Sequence, residues 1–396
     1  MPGRIDRTVY AARIQRLQVS IASQGMDTLI ATKPQTFFYL SDFNPILFSH
    51  PTMVVLPAKG APTMLVWAIR LDHARGEAMI EDLRLFGRWG DKPYLALDPY
   101  DALLKILEER GLTRGVLGVE EDHLSAKLLT KLTTMLPSAT FRDASPLIEH
   151  ARFVKDAEEV ARLRSAARLA DVGMLAAVDA IRERRTEAEI GMRAEGAMRE
   201  LWAREYPDHE TAGFAGSEGA IWSALWCWVV SGPRLMINAD TPKARRVQEG
   251  EFALPQVWAV FDGYTAENER TVAVGGMSPE MRRGFEAVIA AREAAFSAVR
   301  PGATCEQVYE AAATVFRRHG FERFLPGRIG HSIGLGPHEH LSLGPGETTP
   351  LVPGMALTIE PGLFYSDVNV RHSDTIVVTT EGHDVLTRTP AGILEV

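Results

Sequence analysis

Cysteine is nearly absent: the 396-residue chain has two, Cys227 and Cys305. Two cysteines cannot build a disulfide framework, so the fold must rest on an apolar core, and a reducing cytoplasm is the expected home. An excess of basic charge is lacking too. The 43 Lys and Arg residues are outnumbered by 51 Asp and Glu, the net charge is −8, and the basic residues are scattered. That pattern speaks against a nucleic-acid partner. No apolar run approaches the length of a membrane span, so no membrane partner is expected. The N-terminus, MPGRIDRTVYAARIQRLQ, is charged and amphipathic rather than built like a signal peptide. Short-period repeats and low-complexity segments are missing as well. What remains is 46% hydrophobic and 24% charged, the composition of an ordinary globular protein long enough for two or three domains.

Residues 7 to 25 place Tyr10, Ile14, Leu17, Val19 and Ile21 roughly on one face and predict a helix. MDTLIATKPQTFFYLSDF has the apolar density of buried strand, broken at Lys33-Pro34. PTMVVLPAKGAPTMLVW predicts two strands around a glycine-containing turn. GVLGVEEDHL predicts a strand, and SAKLLTKLTTML a helix capped by Ser125. This alternation predicts a small α/β domain over residues 1–150. A second domain, 151–396, opens with a long helix over 153–184, acidic near its start and basic at its end. Thr186 with Glu189 three residues later marks the start of the next helix. Further helices are predicted from about Ser278 to Val299 and after Thr304. Between and after them lie two hairpins: EGEFALPQVWAVFDGYTAENERTVAV, turning at Asp262-Gly263, and PGMALTIEPGLFYSDVNVRHSDTIVV. Gly250 precedes Gln256 by six residues, as Gly354 precedes Glu360. A pseudo-twofold sheet placing polar groups of both hairpins in one cavity would explain the likeness; so would chance.

Chemistry concentrates between Leu325 and Thr375. LPGRIGHSIGLGPHEHLSLG carries His331 and His338, LVPGMALTIEPGLF carries Glu360, and NVRHSDTIVV carries Arg371, His372, Ser373 and Asp374. Polar residues inside strand-like apolar sequence are costly to bury unless paired or used. Histidines titrate near neutrality and suit general acid–base work. Glu267, Glu269 and Glu360 can orient a histidine or bind a cation, and crowding them in one cavity would raise at least one pKa. Asp240 is a further candidate base, and His340 a weaker candidate than His331 or His338. Trp222, Trp226, Trp228, Trp258 and Tyr264 are either core packing or a pocket wall. As a wall beside carboxylates they suit a cationic or amidine-like small molecule.

GHSIGLGPHE, with the two hairpins, resembles the prolidase, aminopeptidase P and creatinase superfamily over nearly the whole chain. The resemblance implies an α/β N-terminal domain followed by a catalytic domain of the pita-bread fold. In the peptidases two Asp, one His and two Glu hold a pair of divalent ions, which together activate water and polarise a carbonyl. By position the first aspartate falls on Gln256, the second on Glu267, the histidine on His331, the first glutamate on Glu360 and the last on Ser373. Hard cations want anionic oxygens, so the implied site is degenerate: no metal, or a single Mn, Zn or Fe ion on His331, Glu267, Glu360 and Gln256. The metal-independent creatinase branch is closer in pattern, through Ser231-Gly232, Thr265-Ala266, Glu269-Arg270-Thr271 and His331-Ser332. Yet Ala239 falls on creatinase's catalytic histidine, and His50, not arginine, precedes Pro51. Creatine is therefore not the implied substrate.

The leading expectation is a hydrolase of a C–N bond in a small molecule. His331, His338, Glu267, Glu269 and Glu360 would be catalytic, and Trp226, Trp228, Tyr264, Arg371, His372 and Asp240 would bind substrate. Arg371 pairing merely with Asp374 is the plainer reading of that residue. The alternatives are a metallopeptidase of the Xaa-Pro type with an altered ligand set, and a non-catalytic binding protein. Phe37, Phe38 and SDFNPILFSHP fall where a dimeric relative reaches over its partner's site, which implies a homodimer.

Overall fold

The computed structural model describes residues 5–214 and 224–396, so Trp222 lies outside the described residues. The chain forms two compact units. One lies within Met1–Arg152 together with Phe214; the other comprises Phe153–Gly213 and the chain from Ala224 to Val396.

The described residues of the first unit form a six-stranded sheet. Its strands are β1 (Thr28–Ala31), β2 (Met53–Pro57), β3 (Thr63–Trp67), β4 (Asp82–Phe86), β5 (Val116–Val119) and β6 (Thr140–Asp143). The order is β4-β3-β2-β1-β5-β6, with β1 antiparallel to β2 and parallel to β5. Ile30, Val55, Leu65 and Leu117 pack there against Leu103 and Ile106 of the helix Pro99–Glu109. The predicted first helix is Arg7–Ser23, capped by Asp6. It buries Ile14, Leu17 and Ile21 but leaves Val19 65% exposed. A residue two places from Leu17 and Ile21 cannot share their face.

TFFYL is helical rather than strand: Pro34–Ser41 forms a helix with Pro34 in its first turn. Proline is preorganised for that position. The carboxylate of Glu120, itself buried, accepts from the amides of Thr32 and Lys33 at 2.9 Å each and so secures the entry to the helix. Ser125 caps Ala126–Met135 as predicted.

The second unit opens on Ala157–Arg182, later than the predicted start at 153. Asp156 and Glu159 form a capping box there, after the helix Ser145–Phe153 has ended. Thr186 and Glu189 form the next box, at the head of Glu187–Glu205. Nine strands are described. They are β7 (Leu225–Ser231), β8 (Glu251–Phe261), β9 (Tyr264–Arg270), β10 (Val272–Val274), β11 (Ala356–Ile359), β12 (Gly362–Tyr365), β13 (Val368–Val378), β14 (His383–Val385) and β15 (Leu394–Glu395). The central order is β11-β13-β9-β8-β10-β15; β7 flanks β8, and β12 and β14 pair with β13. Asp262 and Gly263, both at positive φ, turn β8 into β9. Both predicted hairpins thus enter one sheet, and Gln256 and Glu360 line the same cavity.

Strand β13 divides two environments. Side chains alternate along a strand, so His372 and Asp374 face the helix Pro279–Ala298, away from Arg371 and Ser373. Asp374 is fully buried between Arg270 (Nη2–Oδ1 2.6 Å) and Arg292 (Nε–Oδ2 2.7 Å). His372 lies edge-on to Phe285, 5.3 Å between ring centres, and neither ring nitrogen has a hydrogen-bond partner among the described residues. Burial holds its pKa well below the usual histidine range; Arg270 and Arg292 reinforce this and Asp374 opposes it. The unfolded chain takes up a proton near the ordinary value of 6.5 that the folded form refuses. Stability is therefore fully present above that pH and falls below it. His372→Leu should flatten the acid limb by up to about 1.4 kcal/mol per pH unit. Urea midpoints measured across that range check this, and an unchanged limb contradicts it.

Candidate active site

Cross-strand register assembles the site. Trp226 lies opposite Trp258 and Trp228 opposite Gln256; Gln256 lies opposite Glu269, Trp258 opposite Glu267, and Glu269 opposite Ser373. Directly opposed residues share a sheet face. That face bounds a cavity of about 700 Å³, whose other walls include Arg328, His338, Glu347 and Glu360.

Glu360 follows β11 directly, its amide donating to the carbonyl of Ile329 at 2.8 Å. Gly330 permits the close crossing beside it: a Cβ there would sit 2.1 Å from the carbonyl oxygen of Thr358. His331 is thereby drawn into the sheet, its amide donating to Thr358 Oγ1 at 3.1 Å. The loop bearing His338 is tied down by a buried ion pair, Lys155 Nζ–Glu339 Oε2 at 2.8 Å. The His331 and His338 rings lie 4.2 Å apart.

Nδ1 of His331 lies 3.0 Å from the carbonyl of Ser332, so that nitrogen carries a hydrogen. Nε2 then faces Glu267 Oε2 and Glu360 Oε1, each at 3.5 Å, with no aligned hydrogen bond to either. A lone pair aimed at two carboxylates is repulsive, so Nε2 must be protonated or meet a cation. Burial alone would lower the His331 pKa, but Glu267 and then Glu360 raise it. Burial pushes Glu267 up, yet His331 and the Ser373 hydroxyl, which donates at 2.5 Å, hold it below the ordinary carboxylate range. Burial, and then the charge of Glu267, raises Glu360. Burial raises Glu269 well above the ordinary value despite Arg371. His338 falls to about 4, through desolvation first and His331 second.

Among the residues expected at a site, Glu267, Glu269, Glu360, His338, Gln256, Trp228 and Arg371 line the cavity. His331 is fully buried behind Glu267 and Glu360. Arg371 does not pair with Asp374, because the two point to opposite faces of β13. It binds Glu269 instead (Nη2–Oε1 2.9 Å, Nε–Oε2 2.5 Å) and donates to Gln256 Oε1 at 2.8 Å. Besides His331, four expected residues are not brought to the cavity wall. Tyr264 is buried with its hydroxyl on Glu159. His372 faces the helix core. Trp226 stacks behind Trp258, 5.5 Å away and 14° from parallel. Asp240 is held by Arg234 at 2.7 Å. Sequence reasoning missed Asn238, Arg328 and Glu347 on the wall. Arg328 stands two residues before Gly330 in the glycine-histidine motif, a signal that was available; nothing in the sequence marks Asn238.

Several positions expected to hold ions are engaged by other side chains. Both ends of the Gln256 amide are engaged, Oε1 by Arg371 and Nε2 by donation to the Asn238 carbonyl at 2.7 Å. Ser373 is neutral and donates to Glu267, and Arg371 already occupies Glu269. One ion does fit. Among the described residues, donor atoms of Glu267, His331 and His338 lie within 4.8 Å of one another, as do those of Glu267, Glu269 and Glu360.

Comparison with known proteins agrees with this architecture. Residues 13–154 match the creatinase/prolidase N-terminal domain, and residues 161–380 match metallopeptidase family M24. The Xaa-Pro dipeptidase of Lactobacillus helveticus is 26% identical over 95% of this chain and 96% of its own length. The creatinase of a Bacillus species is 26% identical over 82% of this chain and 75% of its own. The crystal structure of a dipeptidase from Mycobacterium ulcerans superposes with a TM-score of 0.82 at 26% identity, covering all of both chains. The expected α/β N-terminal domain and pita-bread domain are therefore present, and the chain belongs to metallopeptidase family M24.

Proposed function

We propose that this chain hydrolyses a C–N bond of a small molecule bound in the 700 Å³ cavity, using its own side chains as acid and base. The names of its relatives, a dipeptidase and a creatinase, support hydrolysis. One observation carries the rest: Arg371, Gln256 and Ser373 occupy one another and their neighbours where a two-ion centre would need free carboxylates. Glu360 and His338 meet the substrate. Water adds to the carbon of the scissile bond as one of them takes its proton, and the nitrogen leaves with a proton delivered from the other. His331, enclosed behind Glu267 and Glu360, positions them and holds their charge. Trp228 and Trp258 stand 5.0 Å apart by ring centres beside Glu267 and Glu269 and favour a planar, cationic or amidine-like substrate.

A second reading is favoured by the 3.5 Å gaps around His331 Nε2. Glu267 would hold a single divalent ion together with His331 and His338, or with Glu269 and Glu360, and the ion would polarise the bond being cut. Cleavage of an Xaa-Pro dipeptide would then be the first assay.

Elemental analysis separates the two. Protein purified without added metal, and again after dialysis against manganese and zinc, should hold no stoichiometric ion and should cleave a member of a guanidino, amide and cyclic amidine panel. His331→Ala serves as the inactive control. About one ion per chain moves the assignment to the second reading; two ions overturn both.

A further inference from the structure

Asn238 sits on the cavity wall in a conformation that L side chains rarely adopt, φ 71° and ψ −64°. The amide of Ala239 donates to the carbonyl of Ile237 at 3.0 Å and closes a γ-turn centred on Asn238. This turn is rare because it is strained. Strain of this kind persists only where surrounding contacts impose it, and it gathers at ligand sites. Two contacts impose it here. Gln256 Nε2 donates to the Asn238 carbonyl at 2.7 Å, and Asn369 Nδ2 donates to the Leu235 carbonyl at 2.9 Å, one turn earlier. The side-chain oxygen is left buried with no hydrogen-bond partner among the described residues. A buried acceptor without a donor is a cost the fold carries unless a ligand supplies the donor.

The neighbouring wall has the same bias. Oε2 of Glu269 approaches Arg371 Nε at 2.5 Å without hydrogen-bond alignment. Glu347 and Glu360 add further acceptors. Nη2 of Arg371 is engaged by Glu269 and Gln256, and Nε meets Glu269 without alignment. The wall thus offers several acceptors, which a ligand bearing N–H groups complements, although Arg328 stands on it too.

We infer that Asn238 is a specificity-determining residue, its carboxamide oxygen accepting a hydrogen bond from an N–H of an amidinium-type group on the substrate. The inference rests on the hydrolytic reading of this cavity but is tested by binding alone. The probes are acetamidinium and tetramethylammonium, one with N–H donors and one without, titrated calorimetrically into the whole chain. Acetamidinium should bind tighter. Asn238→Gly removes the acceptor while suiting the positive φ, so its thermal midpoint should equal or exceed that of the unsubstituted chain. It should weaken acetamidinium about tenfold and leave tetramethylammonium unchanged. Equal affinity for the two cations, or acetamidinium binding in Asn238→Gly within a factor of about two of the original, overturns the inference. A chain that hydrolyses a C–N substrate yet fails this test loses the role of Asn238 and keeps its activity assignment. A chain that passes it but cleaves nothing keeps the amidinium site and loses the hydrolytic reading.

Discussion

Glu360→Gln is expected to lower kcat by about 10²–10⁴-fold, the range for removing a positioned general acid or base. The substitution keeps size and hydrogen-bonding shape and removes only the ionisable proton. Glu360 lines the cavity, stands 3.5 Å from His331 Nε2, and is the carboxylate of the His331 pair placed outside the strands. Under the one-ion reading with Glu269 and Glu360 as ligands, the same change removes a ligand, so a loss of activity alone does not separate the two. Added manganese does: rescue of Glu360→Gln by metal assigns the residue to an ion, whereas a loss insensitive to metal assigns it to proton transfer. Rates within about threefold of the unsubstituted chain, with the fold intact, would remove Glu360 from the chemistry.

Asp374→Ala is expected to cost about 3–5 kcal/mol, a large part of the stability of a typical domain. Asp374 is fully buried, and its two oxygens meet Arg270 and Arg292. Arg270, itself fully buried, also donates to the carbonyls of Glu269, Ser373, Thr389 and Pro390. Truncating the aspartate leaves the buried Arg270 guanidinium without its anion and Arg292 with Glu293 alone. The loss should appear as a much lower urea midpoint or as insoluble protein. An apolar replacement of the whole triad need not destabilise, because the desolvation of all three charges disappears together. A midpoint for Asp374→Ala close to that of the unsubstituted chain would show that water reaches the triad.

What was legible in the sequence was local. Thr186 with Glu189, Ser125, and Asp262-Gly263 each act over three residues or fewer, and each stands where its spacing placed it. The helix Pro34–Ser41 was not legible, since the group that secures its start, Glu120, lies more than eighty residues away in sequence. The site divides in the same way. Glu267, Glu269, Glu360 and His338 stood out as polar groups in apolar surroundings and reach one cavity. His372 and Tyr264 stood out equally and do not, because the direction of a strand residue depends on register, which the sequence does not state. Asn238 carries no signal of its own: what distinguishes it is a backbone angle and an unmet oxygen.

Strand β13 has a consequence for how this family member can diverge. Its cavity face carries Arg371 and Ser373, and its reverse carries His372 and Asp374. Loss or gain of one residue anywhere before Arg371 within the strand would exchange the two sets. Asp374 would be delivered to the cavity and Arg371 to the interior, so a single slip would erase the core ion triad and invert the polarity of the pocket together. Drift along this strand is therefore confined to substitutions, one position at a time. Length variation is left to the turn at Ser366-Asp367, whose two positive φ angles already set it apart from the strands on either side.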